Sequence, residues 1–234
     1  MGAYVRYLLA AFLFVILLAS KTSAATCTNG SLATYVGLGS AGCTIGSNTL
    51  SNFTIEPGSN GATAISPGLI NIMPLGGSAD PGITIMVEKS AAGNIFEAIF
   101  NYTISGNGYK SETYTLAGSS ETGGGGVTGV QNNCAGGVFS SGGVSGCSGV
   151  SGSLLTLDGI QNQDSGSFDT PFFLSVTDDF TIDGTGGTAA AGTLTDRFSA
   201  VAVPEPASIV FSTLAFVLAS GLLFLRGRKS ITAK

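Results

Sequence analysis

The chain lacks histidine and tryptophan altogether, and only 10% of its 234 residues carry a charge. Without histidine, the protein has no His-based catalytic triad, no imidazole general base and no His-ligated zinc. Without tryptophan, it also lacks the largest aromatic surface for stacking on a sugar ring. Any acid–base chemistry would therefore fall to carboxylates, and we expect no cofactor.

Basic residues are scarce between residues 26 and 203, where three bases and thirteen acids give a net charge of −10. Nucleic acids are bound mainly through basic side chains that neutralise phosphates and release their counterions. No basic patch of that kind is present in this segment. The composition therefore excludes nucleic acid as a partner.

The N-terminal segment has the three parts of a secretory signal peptide. Arg6 precedes an apolar run over residues 8–19, and small residues follow up to Ala25. A basic region, an apolar core and a small-residue cleavage site predict export through the general secretory machinery. We assign residues 1–25 to the signal peptide, with cleavage after Ala24 or Ala25. A retained N-terminal anchor is the alternative, and Cys27 directly behind the small residues favours cleavage.

A second apolar run covers residues 209–225 and is followed by a basic cluster. Seventeen helical residues extend for about 26 Å, which is adequate for the hydrocarbon core of a bilayer. Basic residues remain on the cytoplasmic side of a membrane. We therefore predict a single transmembrane helix within residues 204–225 and a basic cytoplasmic tail over residues 226–234. A buried core helix is the alternative, but the run shows no amphipathic pattern.

Residues 203–208 read Val-Pro-Glu-Pro-Ala-Ser, and the apolar run and the Arg-rich end follow them in that order. This arrangement resembles the PEP-CTERM sorting signal of exopolysaccharide-producing Gram-negative bacteria. The resemblance implies an exosortase as partner, a membrane enzyme that cuts near the Pro-Glu-Pro and releases or transfers the ectodomain. Two prolines keep this peptide extended and accessible to such an enzyme. The implied sorting residues are Val203, Pro204, Glu205, Pro206, Arg226, Arg228 and Lys229.

Four cysteines allow three disulfide connectivities. Cys27 and Cys43 are 16 residues apart, Cys134 and Cys147 are 13 apart, and we predict that each local pair forms a disulfide. A redox or metal site is the alternative, but it lacks C-x-x-C spacing. Residues 27–53 are also similar to an N-terminal element of one group of PEP-CTERM ectodomains, which supports a bridge between the first two cysteines.

Apolar and polar residues alternate with period two through much of residues 26–203. In residues 95–104, Phe96, Phe100 and Tyr102 share one face, whereas Glu97 and Asn101 share the other. Pro-Gly and Gly-rich turns separate many such short runs, and no run keeps a helical period for three turns. The pattern predicts an all-β protein with an antiparallel β-sandwich ectodomain.

Two segments between the predicted strands have distinct local signals. Asn107-Gly108 between two alternating runs predicts a β-hairpin. Residues 117–153 are dominated by Gly, Ser and Thr, which predicts a long flexible loop closed by the second cysteine pair. A glycine-rich phosphate cradle is the alternative, but no helix and no lysine follow it.

Several acidic and aromatic residues are candidates for a binding or catalytic site. Asp178, Asp179 and Asp183 lie in apparent turns and are weak candidates for Ca²⁺, although solvated turn aspartates explain them equally. Glu88 and Glu97 fall on neighbouring predicted strands and offer a carboxylate pair for glycan hydrolysis, with both expected on the solvent side. The candidate platform for sugar stacking comprises four tyrosines: Tyr35, Tyr102, Tyr109 and Tyr114.

Together these features predict an exported cell-surface or extracellular-matrix protein without enzymatic activity. Its ectodomain would first be anchored to the inner membrane on the periplasmic side, and would then be moved to the surface or the matrix, with exopolysaccharide as a further partner. A polysaccharide-binding or partner-binding module is the alternative, and a carboxylate-based glycan hydrolase is a third hypothesis.

Overall fold

Residues 24–59, 61–140 and 145–201 are described by a computed structural model of the chain. They form two large β-sheets packed face to face and a small third sheet. The predicted all-β sandwich is therefore confirmed. Most of the predicted signal peptide, the Pro-Glu-Pro motif, the transmembrane helix and the basic tail lie outside the described residues. Within the described residues, no helix is long and apolar enough to cross a bilayer.

The first sheet contains eight strands. They are β1 (Ala25–Thr26), β3 (Cys43–Ile45), β4 (Asn48–Glu56), β5 (Thr63–Ala64), β9 (Ile95–Ser105), β12 (Gly126–Ala135), β13 (Val150–Leu157) and β15 (Phe173–Asp183). Their order across the sheet is β1-β3-β4-β9-β15-β12-β13, and β5 pairs with β9 beyond the end of β4. The long strands β9, β15 and β12 form its centre.

The second sheet contains six strands. They are β2 (Gly30–Ser31), β6 (Ile70–Leu75), β7 (Gly82–Val87), β10 (Tyr109–Ala117), β14 (Gln163–Ser167) and β17 (Thr193–Ala200). Their order is β14-β10-β17-β7-β6-β2, with every pairing antiparallel. A six-residue helix, α1 (Leu32–Gly37), and a 3₁₀ turn, Pro67–Leu69, lie between strands.

The third sheet covers one end of the sandwich and is built from connections between the other two. It contains β8 (Ser90–Ala92), β11 (Ser120–Gly123) and β16 (Gly187–Ala190), in the order β11-β16-β8. Each of these strands lies on a connection that passes between the two large sheets: from β7 to β9, from β10 to β12 and from β15 to β17. Pairing the three connections with one another satisfies their backbone groups.

The core lies between the two large sheets, as the period-two pattern requires. On β9, the side chains of Phe100, Tyr102 and Ile104 have no exposed surface, whereas Asn101 and Thr103 on the opposite face are partly exposed. Burying each large apolar side chain stabilises the fold by about 1.5–3 kcal/mol. The face assignment predicted for this strand is confirmed.

An aromatic contact joins α1 to this core. The rings of Tyr35 and Phe53 meet edge to face at 5.0 Å, and Phe53 stacks on Tyr102 at 5.2 Å. The helix begins at Ser31, whose hydroxyl accepts a hydrogen bond from the Thr34 amide at 3.3 Å. Such a cap compensates for the short length of the helix, which would not form alone.

Both predicted disulfides are present. Cys27 is bonded to Cys43 with a Cα–Cα distance of 4.8 Å, and Cys134 is bonded to Cys147 with a distance of 5.5 Å. The first fixes the N-terminal segment to β3, and the second closes the connection between β12 and β13. Loops of this size make each bridge worth about 3 kcal/mol in the chain-entropy account.

The prediction of a flexible loop over residues 117–153 is wrong for most of its length. The segment includes β11, the first residues of β13 and all of β12, which pairs with β15 on one side and β13 on the other. Glycine here permits close packing: a Cβ atom on Gly129 would lie 2.7 Å from Thr156 Oγ1 and 2.8 Å from Leu194 Cδ2. Among its described residues, 118–119, 124–125, 136–140 and 145–149 lie outside the named strands.

The prediction of a hairpin at Asn107-Gly108 is also wrong. The turn does join β9 to β10, and Gly108 has the positive φ of 87° that such a turn requires. However, β9 belongs to the first sheet and β10 to the second. The turn therefore connects the two sheets. β9 pairs with β4 and β15, whereas β10 pairs with β14 and β17.

The loop between α1 and β3 offers a matched test of the packing. Gly39 and Gly42 both have positive φ, at 55° and 61°. A Cβ atom on Gly42 would collide with the Leu50 carbonyl oxygen, whereas one on Gly39 meets nothing within 4 Å. We expect Gly39→Ala to cost about 1 kcal/mol from the backbone conformation. Gly42→Ala should cost about 2 kcal/mol more because the backbone must move.

Urea denaturation of both variants measures this difference. Equal losses of stability would contradict the contact between this loop and β4.

Candidate functional site

The residues predicted for sorting, Val203, Pro204, Glu205, Pro206, Arg226, Arg228 and Lys229, lie outside the described residues, so their assignment stays a prediction. The described fold ends just before them, with β17 closing at Ala200.

The three aspartates proposed for Ca²⁺ do not form a site. Asp178 and Asp179 are neighbours on β15 and point to opposite faces of the sheet, because side chains alternate along a strand. Asp183, at the end of the strand, accepts hydrogen bonds from the Thr185 hydroxyl at 2.6 Å and the Thr185 amide at 2.8 Å, which lower its pKa. Within the described residues, no three acidic side chains are placed to hold a metal ion.

The proposed carboxylate pair Glu88 and Glu97 is also separated. Glu88 is exposed just after β7 in the second sheet, whereas Glu97 lies on β9 in the first sheet. Glu97 is buried rather than solvent-facing, with 5% of its surface exposed. Its carboxylate accepts hydrogen bonds from the amide and hydroxyl of Ser59, and so holds the loop after β4.

The predicted tyrosine platform does not exist on the surface. Tyr35 is 2% exposed, and Tyr102, Tyr109 and Tyr114 have no exposed surface. These rings are part of the core. The hypothesis that tyrosines bind a glycan by stacking is therefore wrong.

Three carboxyl groups lie instead in the interior, on the inner faces of strands from both sheets. Asp178 is on β15, Glu112 on β10 and Asp196 on β17. Asp178 and Asp196 have no exposed surface, and Glu112 has 1%. We call these groups and the polar side chains in contact with them the interior acidic cluster: Tyr102, Glu112, Tyr114, Gln131, Asn133, Asp178 and Asp196.

The sheet register brings the members of the cluster together. Gln131 of β12 is directly opposite Asp178 of β15, and Tyr114 of β10 is directly opposite Asp196 of β17. Tyr102 of β9 extends across the interior and donates its hydroxyl proton to the Asp196 carboxylate. The two sheets are therefore joined by polar contacts at their centre as well as by apolar packing.

Gln131 is the link between the two aspartates. Its side-chain amide donates to Asp178 Oδ1 at 3.4 Å and also hydrogen-bonds to Asp196. At the side of the cluster, the Asn133 amide donates to Glu112 Oε1. Tyr102, Asp196, Gln131 and Asp178 therefore form one hydrogen-bonded chain inside the sandwich, and Asn133 and Glu112 form a separate pair beside it.

Five side-chain oxygen atoms of the interior acidic cluster have no hydrogen-bond partner. Burial, with the nearby Asp178 carboxylate second, raises the pKa of the Tyr114 hydroxyl, but this hydroxyl makes no hydrogen bond of normal geometry. Buried polar atoms are nearly always paired in native proteins, and an unpaired one costs about 1–3 kcal/mol. The five atoms are Glu112 Oε2, Tyr114 Oη, Gln131 Oε1, Asp178 Oδ2 and Asp196 Oδ1.

The bases of the described residues do not neutralise the cluster. Lys110 and Arg197 are exposed, and Arg197 is 3.7 Å from Asp80 on the surface. Lys89 is placed over the ring of Phe96, 4.1 Å from its centroid. Burial without a counter-charge disfavours ionised carboxylates. The negative charge of the cluster is therefore uncompensated by any described side chain.

The pKa values of the carboxyl groups follow from this environment. Burial, with the charges of Asp196 and Asp178 second, raises the pKa of Glu112 to about 9. Burial raises the pKa of Asp196 to about 7, although hydrogen bonds from Tyr102 and Gln131 oppose the rise. Burial and the Asp196 charge hold the pKa of Asp178 well above its usual range.

The alternation of residues around Asp178 in the sequence indicates that this aspartate is buried. Asp178 alternates in register with Leu174, Val176 and Phe180, all of which are buried. Period-two alternation through an acid predicts a buried carboxyl group, whereas we interpreted residues 178–183 as turns. The pairing of residues from both sheets depends on strand order, which local patterns do not specify.

A cleft of about 200 Å³ leads to the cluster from the open side of the sandwich. It lies between β13 and β14, with Glu112 and Asn133 at its inner end and Asp164 at its side. Gly152 and Gly166 leave room there, because Cβ atoms would lie 2.6 Å from Asn133 Oδ1 and 3.3 Å from Glu112 Oε1 respectively. Glu112 and Asn133 therefore belong both to the lining of the cleft and to the interior acidic cluster.

A larger groove of about 410 Å³ runs beside the third sheet. Its walls are residues 86–89, 117–118 and 191–193, which are mainly small or apolar. Glu88 and Lys89 are its charged residues. The groove lacks the convergent polar groups that fix a ligand's orientation in most binding sites.

The raised pKa values predict an unusual dependence of stability on pH. Each carboxyl group binds its proton more tightly in the folded than in the unfolded chain, so its contribution is full below the unfolded pKa near 4 and is lost as pH rises through the folded value. In a chelating buffer, we expect the free energy of unfolding to fall by several kcal/mol between about pH 5 and about pH 9, at about 1.4 kcal/mol per pKa unit. Denaturant melts over this range measure it.

Asp196→Asn should flatten this profile, because the variant has one titrating group fewer in the interior. Asp183→Asn is the matched control: an asparagine oxygen still accepts from Thr185, and the alkaline loss of stability should persist. A profile that rises with pH in the wild-type chain would contradict the assignment of protonated interior carboxyl groups.

Comparisons with known proteins place the chain in no family. No family model matches it, and no characterised protein matches it in sequence. Among solved structures, the Gap123 glycosylation-associated complex from Streptococcus agalactiae shares 15% identity over 68% of this chain, with a TM-score of 0.30. This chain spans 27% of that one.

Two further structural likenesses are to carbohydrate-binding modules. The CBM22-1 xylan-binding domain from Paenibacillus barcinonensis Xyn10C shares 8% identity over 78% of this chain and all of its own, with a TM-score of 0.22. TmCBM61, solved with β-1,4-galactotriose, shares 9% identity over 65% of this chain and 84% of its own, with a TM-score of 0.21. At such scores, these likenesses support no inference about what this chain binds.

Proposed function

We propose that the chain is an exported, non-catalytic surface or matrix protein, processed by an exosortase at its Pro-Glu-Pro motif. The single observation that carries this proposal is the position of the folded domain. Among the described residues, the first strand begins at Ala25, at the predicted cleavage site, and the last ends at Ala200, just before the Pro-Glu-Pro motif.

The N-terminal boundary also refines the predicted cleavage site. Ala25 pairs with Cys43 across β1 and β3, and its carbonyl oxygen accepts a hydrogen bond from the Thr44 hydroxyl at 3.5 Å. Cleavage after Ala24 keeps both residues of β1, whereas cleavage after Ala25 removes one. We therefore favour a mature chain that begins at Ala25.

The two disulfides suggest that the domain folds outside the cytosol, because such bonds persist in oxidising compartments such as the periplasm and the cell exterior. They also stabilise the folded domain where no chaperones refold it. The acidic surface keeps such a domain soluble and discourages binding to anionic lipid.

The carboxyl groups of the domain favour a structural rather than a catalytic role. Asp164, beside the cleft, already accepts hydrogen bonds from the Leu155 amide at 3.0 Å and the Ser165 amide at 2.8 Å. Glu112 has its free oxygen buried at the inner end of the cleft. A glycoside hydrolase needs two carboxyl groups on opposite sides of the bound sugar. In this cleft, Glu112 is the carboxyl group at the inner end, and Asp164 is already engaged by the two backbone amides.

Processing is tested on protein recovered from its native host by intact mass and by N- and C-terminal sequencing. We expect a chain that begins at Ala25 and ends near residues 204–206. The double variant Pro204→Ala/Pro206→Ala should keep residues 209–234, because the peptide loses its extended conformation. Pro67→Ala, the same change on the folded domain, is the matched control and should be processed as the wild type is.

A wild-type product that retains residues 209–234 would overturn exosortase processing. The tail would then act only as a membrane anchor, and the chain would be a resident membrane protein.

The cleft between β13 and β14 favours a second candidate function, binding of a polysaccharide end or a side residue. Its lining includes Glu112, Asn133, Asp164 and several serines, which match sugar hydroxyl groups in hydrogen-bonding capacity. This hypothesis does not need an exposed aromatic ring. It places the glycan in the cleft, whereas the tyrosine hypothesis places it on exposed aromatic rings.

The cleft hypothesis predicts that the purified protein is retained on a column of the host's exopolysaccharide. Gly166→Ala should reduce retention, because its Cβ atom narrows the cleft next to Glu112 and Leu154. Gly37→Ala is the matched control, since its Cβ atom meets nothing within 4 Å. Elution of the wild type in the void fraction, or equal retention of both variants, would dismiss the cleft as a glycan site.

A further inference from the structure

The unpartnered atoms of the interior acidic cluster are all oxygen. Asp178 Oδ2, Asp196 Oδ1 and Gln131 Oε1 can only accept when the carboxyl groups are ionised. Their side chains have no exposed surface, so solvent does not satisfy them. The Tyr114 hydroxyl is the one unpartnered group of the cluster that can donate, so the other buried acceptors need protons on the carboxyl groups or a positively charged ligand.

Gln131 gives an indication that is independent of the acids. It is a neutral side chain, buried on the inner face of β12 and opposite Asp178 in the register. Its amide nitrogen is directed at the two aspartates, which leaves its carbonyl oxygen unpartnered. An amide oxygen held inside a core without a donor costs free energy unless a cation or a hydroxyl group binds it.

Oxygen ligands from carboxylates and amide carbonyls are those that hard divalent cations such as Ca²⁺ prefer. We propose that Asp178, Asp196 and Gln131 hold one divalent cation of this type between the two sheets. The two carboxylates would neutralise the charge of the ion. The Tyr114 hydroxyl, on the neighbouring strand, is a fourth oxygen at the same place.

This set differs from the earlier candidates at Asp178, Asp179 and Asp183. It takes one residue from that set and replaces the others with groups from β12, β17 and β10. It contains two carboxylates only, so it is compatible with the finding that no three acidic side chains of the described residues are placed around one ion.

The cleft between β13 and β14 provides the entry path that such a buried site needs. Glu112 lines this cleft and is near enough to Asp196 and Asp178 for their charges to add to the effect of burial on its pKa. An ion that enters here passes the Glu112 carboxyl group before it reaches Asp196. Tyr102, which donates to the other oxygen of Asp196, fixes the orientation of that carboxylate.

The ion can be detected with Tb³⁺, which replaces Ca²⁺ and emits light when a nearby aromatic ring is excited. The chain has no tryptophan, so tyrosine is the sensitiser, and Tyr102 and Tyr114 contact the cluster. After removal of metals from the purified protein with a chelator, we expect tyrosine-sensitised emission that saturates at one ion per chain. Ca²⁺ should displace Tb³⁺ and raise the melting temperature.

Asp178→Asn and Asp196→Asn should each weaken Tb³⁺ binding by at least about tenfold, the smaller effect seen even for residues that only orient a ligand. Both variants should remain folded without metal, because an amide has nearly the same shape as the carboxyl group and carries no charge to bury. Asp183→Asn, on the surface turn, is the matched control and should bind as the wild type does.

Anomalous scattering from Tb³⁺ in crystals locates the ion without any variant. An ion between β15 and β17 supports the proposal. An ion on the surface, or binding that is lost in Asp183→Asn and kept in both other variants, would overturn it. Absence of sensitised emission and of any Ca²⁺-dependent rise in melting temperature in the wild type would also overturn it.

Discussion

The charge buried between the two sheets is the constraint on which the rest of this structure depends. Asp178, Asp196 and Glu112 are enclosed by apolar strands, and no described base compensates them. An isolated ionised carboxylate in such surroundings costs many kcal/mol, so it must gain a proton or a cation. The stability of the folded sandwich therefore depends on pH and on the cations that are present.

The other parts of the fold protect this interior. The two disulfides fix the N-terminal segment and the connection after β12, and the third sheet covers one end of the sandwich. On the open side, the cleft between β13 and β14 leaves one route inward. For an exported protein, this arrangement is physically sensible. If the interior binds the proposed cation, an exported domain gains stability in surroundings that hold millimolar divalent cations.

The sequence allowed the architecture to be predicted but not the site. Alternation along β9 assigned Phe100 and Tyr102 to the core, and the spacing of the cysteines gave both disulfides. Strand β12 could not be predicted, because a glycine adds no side chain to the period-two pattern. At Gly129, the absence of a side chain is required for close packing. The acidic cluster was missed because Asp178 and Asp196 are 18 residues apart in the sequence and meet only through the order of strands in two sheets. That order is set by long-range pairing, which no local pattern encodes.

The protonation of the cluster in the absence of metal tests this account most directly, and infrared spectroscopy measures it through the carbonyl stretch of protonated carboxylic acids. At neutral pH in a chelating buffer, the folded chain should show this band, and Asp196→Asn should reduce it. Added Ca²⁺ should also reduce it, as the aspartates ionise around the cation. A folded, chelated chain that shows only ionised carboxylate bands at neutral pH would contradict the account, because its interior would then hold the charge without a proton or a cation.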